Sequence, residues 1–129
     1  MASRSRVLIV EDDVSVRTFT ARALQADGHA TETACDGEEG LEMIKAEAGS
    51  YDLVLSDIRM PVMDGIEMAE TAAQAFPELR ILLMTGYAEQ RERAAELDGV
   101  IVGVVNKPFT LADIRERVSR ALAADASGS

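Results

Sequence analysis

The sequence is poor in the features that mark secreted and membrane proteins. Its single cysteine, Cys35, cannot form an internal disulfide, which favours a reducing compartment, and we expect Cys35 to pack at the end of a strand. No apolar run approaches the roughly 20 residues that span a bilayer. The N-terminal residues lead directly into a short apolar segment and lack the longer apolar region of a signal peptide. These absences predict a cytoplasmic protein without a membrane partner.

Basic residues are also scarce. Lys and Arg total 13 against 23 Asp and Glu, so the formal net charge is −10. Such a chain does not neutralise phosphates well, and we expect no nucleic-acid partner. Neither a G-x-G-x-x-G loop nor a Walker lysine loop is present, which argues against nucleotide binding. The acidic balance favours cations and basic protein surfaces, although solubility alone would account for most of it.

The 129 residues, 47% of them hydrophobic, suit one domain with a core on two faces. We expect a single domain over residues 1–129, with its core at about 6–124 and a flexible tail at 125–129. No internal repeat or linker interrupts it. Apolar segments alternate along the chain with segments of helical periodicity. The predicted strands cover residues 7–10, 29–34, 53–55, 81–84 and 100–105, and a helix follows each one.

This alternation predicts an α/β fold, a doubly wound five-stranded parallel sheet of order 2-1-3-4-5 with five helices, as in flavodoxin-like proteins. The segment 88–97 is weakly amphipathic, with only Ala94 and Leu97 as apolar anchors, and should be the most mobile helix. Thr110 and Asp113 form a predicted capping box. We expect the first helix to bury Val16, Phe19, Ala23 and Leu24, and the last to bury Leu111, Ile114, Val118 and Leu122.

Chemically reactive residues follow four of the predicted strands: Glu11-Asp12-Asp13, Asp57, Thr85-Gly86 and Lys107-Pro108. The carboxyl ends of parallel strands meet at one edge of the sheet, where ligands bind in such folds. Carboxylates gathered there would repel one another unless a cation such as Mg²⁺ lay between them. Separately, each residue is better explained as a cap, a turn residue or a solvated charge, but the joint occurrence favours shared chemistry.

In this interpretation Asp57 is a nucleophile able to accept a phosphoryl group. Glu11 and Asp12 hold Mg²⁺, directly or through water. Lys107 supplies a positive charge, and the Thr85 hydroxyl a hydrogen bond, to the phosphoryl oxygens. Gly86 leaves the approach open.

At these residues the sequence resembles the receiver domain of bacterial two-component response regulators, from Val7 to about residue 124. The shared motifs are Glu11-Asp12-Asp13, Asp57 with Met60-Pro61 and Asp64-Gly65, Thr85-Gly86 and Lys107-Pro108-Phe109. The Thr85-Gly86-Tyr87-Ala88 loop and the Lys107-Pro108-Phe109 turn are similar to those of stand-alone receivers of the CpdR type.

The resemblance implies phosphorylation of Asp57 by a histidine kinase or a histidine phosphotransfer protein. It also implies Mg²⁺ bound by Glu11 or Asp12, by Asp57 and by the Arg59 backbone carbonyl, and a cis peptide bond before Pro108 that aims Lys107 inward. Such a protein is not an enzyme in the usual sense, since it catalyses only its own phosphorylation and dephosphorylation. Its output is docking to another protein, which the sequence does not identify.

One position departs from the family. Most receivers carry Tyr or Phe three residues before the lysine, where this chain has Val104. A β-branched side chain has few rotamers and no ring to move, so we expect the signal to leave through Gly86, Tyr87 and the following helix. Arg59 and Tyr87 occupy the positions at which family members tune the access of hydrolytic water.

Two other functions stay open. The chain could be a phosphate-shuttling receiver of a phosphorelay or a receiver excised from a hybrid kinase, although Met1 lies only six residues before the first predicted strand, which favours a complete short protein. An Mg²⁺-dependent phosphatase of the haloacid-dehalogenase-like type is less favoured. That class needs a second acid two residues after the nucleophile, where this chain has Arg59.

Overall fold

The computed structural model describes residues 5–97 and 99–123. The predicted flexible tail at 125–129 therefore lies outside the described residues. The strands are β1 (Arg6–Val10), β2 (Ala30–Ala34), β3 (Leu53–Asp57), β4 (Ile81–Thr85) and β5 (Gly103–Asn106). The helices are α1 (Val14–Ala26), α2 (Gly37–Ala46), α3 (Gly65–Ala75), α4 (Ala88–Ala95) and α5 (Leu111–Ala123).

The five strands form one sheet of order β2-β1-β3-β4-β5, and all four neighbouring pairs are parallel. The predicted fold and strand order are thus confirmed. Each parallel pair needs a crossover, and the helices that supply these crossovers cover both faces of the sheet. The order reverses between β1 and β3, which places a crevice at their carboxyl ends.

Alternate residues of the central strands face opposite layers of the core. Leu8 and Val10 pack with residues of α2 and α3, whereas Val7 and Ile9 pack with residues of α1 and α5. Because β3 and β4 are covered on both faces, every one of their residues is buried. The central strands are therefore rigid supports for the residues at their ends.

Side chains cap several helices as local sequence rules predict. Asp13, Asp36 and Asp64 each accept a hydrogen bond from the backbone N–H three residues later, at the starts of α1, α2 and α3. The predicted capping box of α5 is confirmed, because Thr110 and Asp113 bond reciprocally at 3.1 and 3.0 Å. These caps fix where each helix starts relative to the preceding strand end.

Three predictions of burial are wrong. Cys35 is exposed, since it lies in the turn after β2 and its backbone N–H donates to the Glu39 carboxylate. Phe19 is 39% exposed, because α1 turns Thr20, Ala23 and Leu24 toward the sheet instead. Leu111, the first residue of α5, is also exposed and lines a groove between α1 and α5. The remaining predicted core positions of α5 are buried or partly buried.

The fifth strand is shorter than predicted and starts later. The backbone N–H groups of Val100 and Ile101 both bond to the Leu97 carbonyl, and the strand begins at Gly103. Helix α4 ends at Ala95, and the predicted anchors Ala94 and Leu97 are both buried.

Candidate functional site

Asp57 is the last residue of β3, and it lies at the carboxyl ends of the strands, where the strand order reverses between β1 and β3. Its Oδ1 accepts the backbone N–H of Ile58 at 2.9 Å, and its Oδ2 accepts the Lys107 ammonium at 3.0 Å. The residue is buried apart from the side that lines a cavity of about 720 Å³. A carboxylate held in this way is fixed in direction and open on one side.

The loop after β3 packs tightly enough to need a glycine. A Cβ at Gly65 would collide with the Asp57 carbonyl oxygen, so α3 begins in direct contact with the strand end. The Gly65 N–H donates to the Ile58 carbonyl at 2.8 Å, and the Ser56 hydroxyl donates to the Asp57 carbonyl at 2.8 Å. These contacts fix the backbone that carries Asp57.

Glu11 follows β1 and is the most deeply buried acid of the site, at 1% exposure. Its carboxylate accepts Lys107 Nζ at 2.9 Å and the Asp13 N–H at 3.1 Å. Burial raises the pKa of Glu11 to about 7, the charge of Asp57 adds to the rise, and the bond from Lys107 opposes it. The site therefore holds a carboxyl group that gains from any further positive charge.

Lys107 reaches the site from the turn after β5, and its predicted cis bond to Pro108 is confirmed. Burial alone would lower the pKa of Lys107. The bond to Glu11 and the charge of Asp57 outweigh burial and hold this pKa above its usual value. The lysine is thus a firmly charged group that bridges two acids.

Oxygen donors suited to a hard cation meet at the same place. One carboxylate oxygen from each of Glu11, Asp12 and Asp57 lies within 4.8 Å of the others. Three acids face one lysine, and carboxylate oxygens are the ligands that Mg²⁺ prefers, so the residues present fit this ion. Asp13 instead caps α1, so its role as a helix cap, and not a part in the shared chemistry, is the correct interpretation. The role of the Arg59 carbonyl stays a prediction.

Thr85, the last residue of β4, does not point into this cavity. The hydroxyl is 2.9 Å from Gln90 Oε1 and 3.1 Å from the Tyr87 carbonyl oxygen, and the residue is buried. Among the described residues, Gly86 and Tyr87 line the cavity and Thr85 does not. The hydroxyl must therefore turn before it can bond anything held at Asp57.

The other predicted switch residues surround the site. Val104 is partly buried and packs on the core layer that includes α2 and α3. Pro108 lines the cavity. The Arg59 guanidinium lies over the Tyr87 ring, 5.6 Å from its centroid, and both residues line the cavity wall.

Two features were not predicted from the sequence. Gln90 is buried in the first turn of α4, although it stands in a run of charged residues that suggested solvent exposure. Phe19 and Phe109 pair across the cavity rim with ring centroids 6.3 Å apart. For the contact between Gln90 and Thr85, the sequence offers only the short spacing of the two residues as a signal. Helix periodicity does not reveal a partner that lies on a strand.

A known protein family matches most of this chain. The sequence model of this family, the response regulator receiver domain, matches residues 7–119. The chain belongs to this family. The receiver domain protein (CheY-like) of Methanospirillum hungatei JF-1 has a similar solved structure, with a TM-score of 0.85 and 31% identity over 94% of this chain and 95% of that one.

Two relatives come from Brucella abortus (strain 2308). The response regulator receiver protein CpdR is 34% identical over 119 residues, which are 92% of this chain and 98% of CpdR. The sensor kinase CckA is 32% identical over 122 residues, which are 95% of this chain but 13% of CckA. The chain spans about half the length of several other response regulators that it matches. Over the residues that the structure describes, no helix is long and apolar enough to cross a bilayer.

Proposed function

We propose that this receiver is a signalling switch that accepts a phosphoryl group on Asp57 from a phosphohistidine donor and then changes its protein partner. The observation that carries the proposal is the Asp57 carboxylate itself. It opens into the cavity, 3.0 Å from the Lys107 ammonium and grouped with Glu11 and Asp12. A fixed nucleophile beside a cation-binding cluster is what phosphoryl transfer to a carboxylate requires.

In the proposed reaction an oxygen of Asp57 attacks the phosphorus atom. The bond between phosphorus and the donor's imidazole nitrogen breaks, and its electron pair stays on that nitrogen. Lys107 binds a phosphoryl oxygen, and the Thr85 hydroxyl binds another after it turns from Gln90. Glu11, Asp12 and Asp57, with the Arg59 carbonyl, would hold Mg²⁺, which when bound supplies further positive charge to the phosphoryl oxygens.

The donor would be a histidine kinase or a histidine phosphotransfer protein, and the output would be docking to a protein partner. Because sensor kinases draw on ATP, a receiver that they phosphorylate would act in the cytoplasm. The 129 residues would form a single domain. With a net charge of −10, nucleic acid is not the expected partner, and no membrane partner is expected. We do not expect the chain to be an enzyme in the usual sense, since it would catalyse only its own phosphorylation and dephosphorylation.

Similarity to part of CckA favours a second candidate. A receiver within a kinase can pass its phosphoryl group to another histidine, so this chain could be a shuttle in a phosphorelay or part of a hybrid kinase. Incubating the phosphorylated protein with a histidine phosphotransfer protein would separate the two roles. Transfer of the label favours the shuttle, whereas retention with capture of a different partner favours the switch.

The proposal is tested by incubating the protein with acetyl phosphate and Mg²⁺ and measuring its mass. Wild type should gain one phosphoryl group, Asp57→Asn should gain none, and EDTA should prevent the gain. Asp36→Asn is the matched control, because asparagine caps a helix as well as aspartate does. Modification of Asp57→Asn at the wild-type level would show that another residue is the acceptor.

A further inference from the structure

Gln90 is a buried polar residue whose side chain reaches back to the end of β4. Its Oε1 lies 2.9 Å from the Thr85 hydroxyl and 3.3 Å from the Gly86 N–H. The Gly86 N–H can only donate, so the amide atom between the two groups is the oxygen and the Thr85 hydroxyl donates to it. Gln90 Oε1 is therefore the nearer of two acceptors for the Thr85 proton, the other being the Tyr87 carbonyl oxygen at 3.1 Å.

The Thr85 hydroxyl has one proton and cannot serve two acceptors well. If it turns to an anion bound at Asp57, Gln90 Oε1 keeps only the longer bond from Gly86. The Tyr87 carbonyl loses less, since it also accepts the Arg91 N–H at 3.2 Å. A buried acceptor that loses its donor is unfavourable, so Gln90 competes directly with the anion.

The same side chain helps to hold α4 in place. The N-cap residue Tyr87 makes no side-chain cap bond, and the helix has only eight residues. Gln90 also borders two cavities, the one that Asp57 lines and one of about 390 Å³ lined by Asp64 and Arg93. Arg93 joins α4 to Asp64 through an exposed ion pair at 3.1 Å. The bonds of Gln90 to Thr85 and Gly86 therefore tie the start of α4 to the end of β4.

We propose that Gln90 is a positioning residue that holds the Thr85 hydroxyl away from Asp57 in the unmodified protein and releases α4 when that hydroxyl turns to a phosphoryl group. The inference rests on the proposed function, because it assumes an anion at Asp57. It assigns the coupling to a polar contact on α4, because the side chain of Val104 on β5 has no group that could accept the Thr85 proton.

Beryllofluoride with Mg²⁺, a mimic of the phosphoryl group, provides the test. Gln90→Met keeps the length of the side chain and removes the acceptor, so it should bind beryllofluoride about threefold to tenfold more tightly, the equivalent of one ordinary hydrogen bond. Gln74→Met, at an exposed position of α3, is the control and should bind like wild type. Gln90→Leu repeats the test if the methionine variant unfolds.

A double-mutant cycle distinguishes positioning from a general effect on stability. Thr85→Val removes the hydroxyl, so adding Gln90→Met to this variant should leave the affinity unchanged. An equal gain with and without the hydroxyl would overturn the proposal, as would unchanged affinity of Gln90→Met and Gln90→Leu. If wild type itself fails to bind beryllofluoride, the proposed function fails first.

A second readout needs neither metal nor anion. In the metal-free protein the Gly86 amide should exchange with solvent faster in Gln90→Met than in wild type, because its acceptor is gone.

A third readout uses beryllofluoride again. On beryllofluoride binding, wild type should show chemical-shift changes along α4, and Gln90→Met should show smaller ones while Ile58 responds normally. A full response of α4 in Gln90→Met would assign the coupling to another contact.

Discussion

Lys107→Met should destabilise the protein far more than removal of any surface charge. Lys107 Nζ bonds to both Glu11 and Asp57, at 2.9 and 3.0 Å, and its side chain is only 25% exposed. Methionine matches the length of lysine but has no charge and no donor. The substitution therefore leaves two acids, one of them completely enclosed, without their shared cation.

The size of the effect follows from these contacts. Each hydrogen bond to a charged group contributes about 1.5–3 kcal/mol, so two of them set an upper limit of about 6 kcal/mol. Two terms reduce the loss: the burial cost of the ammonium disappears, and Glu11, whose pKa burial already raises to about 7, can take up a proton. We expect the free energy of unfolding to fall by about 2–4 kcal/mol.

Urea unfolding in EDTA measures this loss. The only other lysine, Lys45, lies exposed in the last turn of α2 and provides the control. Lys45→Met should change the free energy of unfolding by less than about 1 kcal/mol, the range of a charge at a helix end. A loss in Lys107→Met no larger than that of Lys45→Met would refute the described contacts.

Magnesium should partly reverse the defect. With the ammonium gone, the cation that bonds Glu11 and Asp57 no longer competes for the carboxylates, so Lys107→Met should bind Mg²⁺ more tightly than wild type does. The added ion should then raise the unfolding midpoint more in the variant than in wild type. An equal response in both proteins would mean that Lys107 and the ion do not share the site.

Three further predictions concern the loop after β3, the start of α3 and the cavity wall. Val62 has a left-handed backbone (φ 72°), which a β-branched residue tolerates badly. Val62→Asn should therefore raise the free energy of unfolding by about 1 kcal/mol. Urea unfolding that shows no gain would mean that the backbone at Val62 is not strained. Gly65→Ala should lower the free energy of unfolding by about 1–3 kcal/mol, because the added Cβ would meet the Asp57 carbonyl. Helix propensity alone predicts that alanine stabilises the helix, so a gain in stability would show that this contact is absent. Arg59→Ala and Tyr87→Ala should each shorten the lifetime of the phosphoryl group severalfold, because their stacked side chains cover the cavity wall, and radiolabel decay at the wild-type rate in both would reject this role.

Much of the fold could be predicted because it depends on short-range patterns. Runs such as 53–55 and 81–84 are apolar without alternation, which is the pattern that a strand covered on both faces requires. The topology then follows, since parallel strands require crossovers of one hand. Strand ends share one edge of the sheet, so the grouping of Glu11, Asp57 and Lys107 could also be predicted.

Burial on the outer sides of the helices could not be predicted in this way. Periodicity shows which residues share a helix face, but Phe19 and Leu111 are exposed because, among the described elements, none covers that part of α1 and α5. Gln90 is the opposite case, since its charged neighbours suggested solvent and a strand end encloses it. Coverage depends on elements that are distant in the chain.

The sequence by itself determined the order of the elements, the parallel sheet and the set of acids, hydroxyl and lysine at its edge, because periodicity, caps and strand ends are local properties. Only the tertiary structure decided which polar side chain lies within hydrogen-bond distance of the Thr85 hydroxyl. The direction of a hydroxyl depends on acceptors within about 3 Å, and packing brought Gln90 into that range.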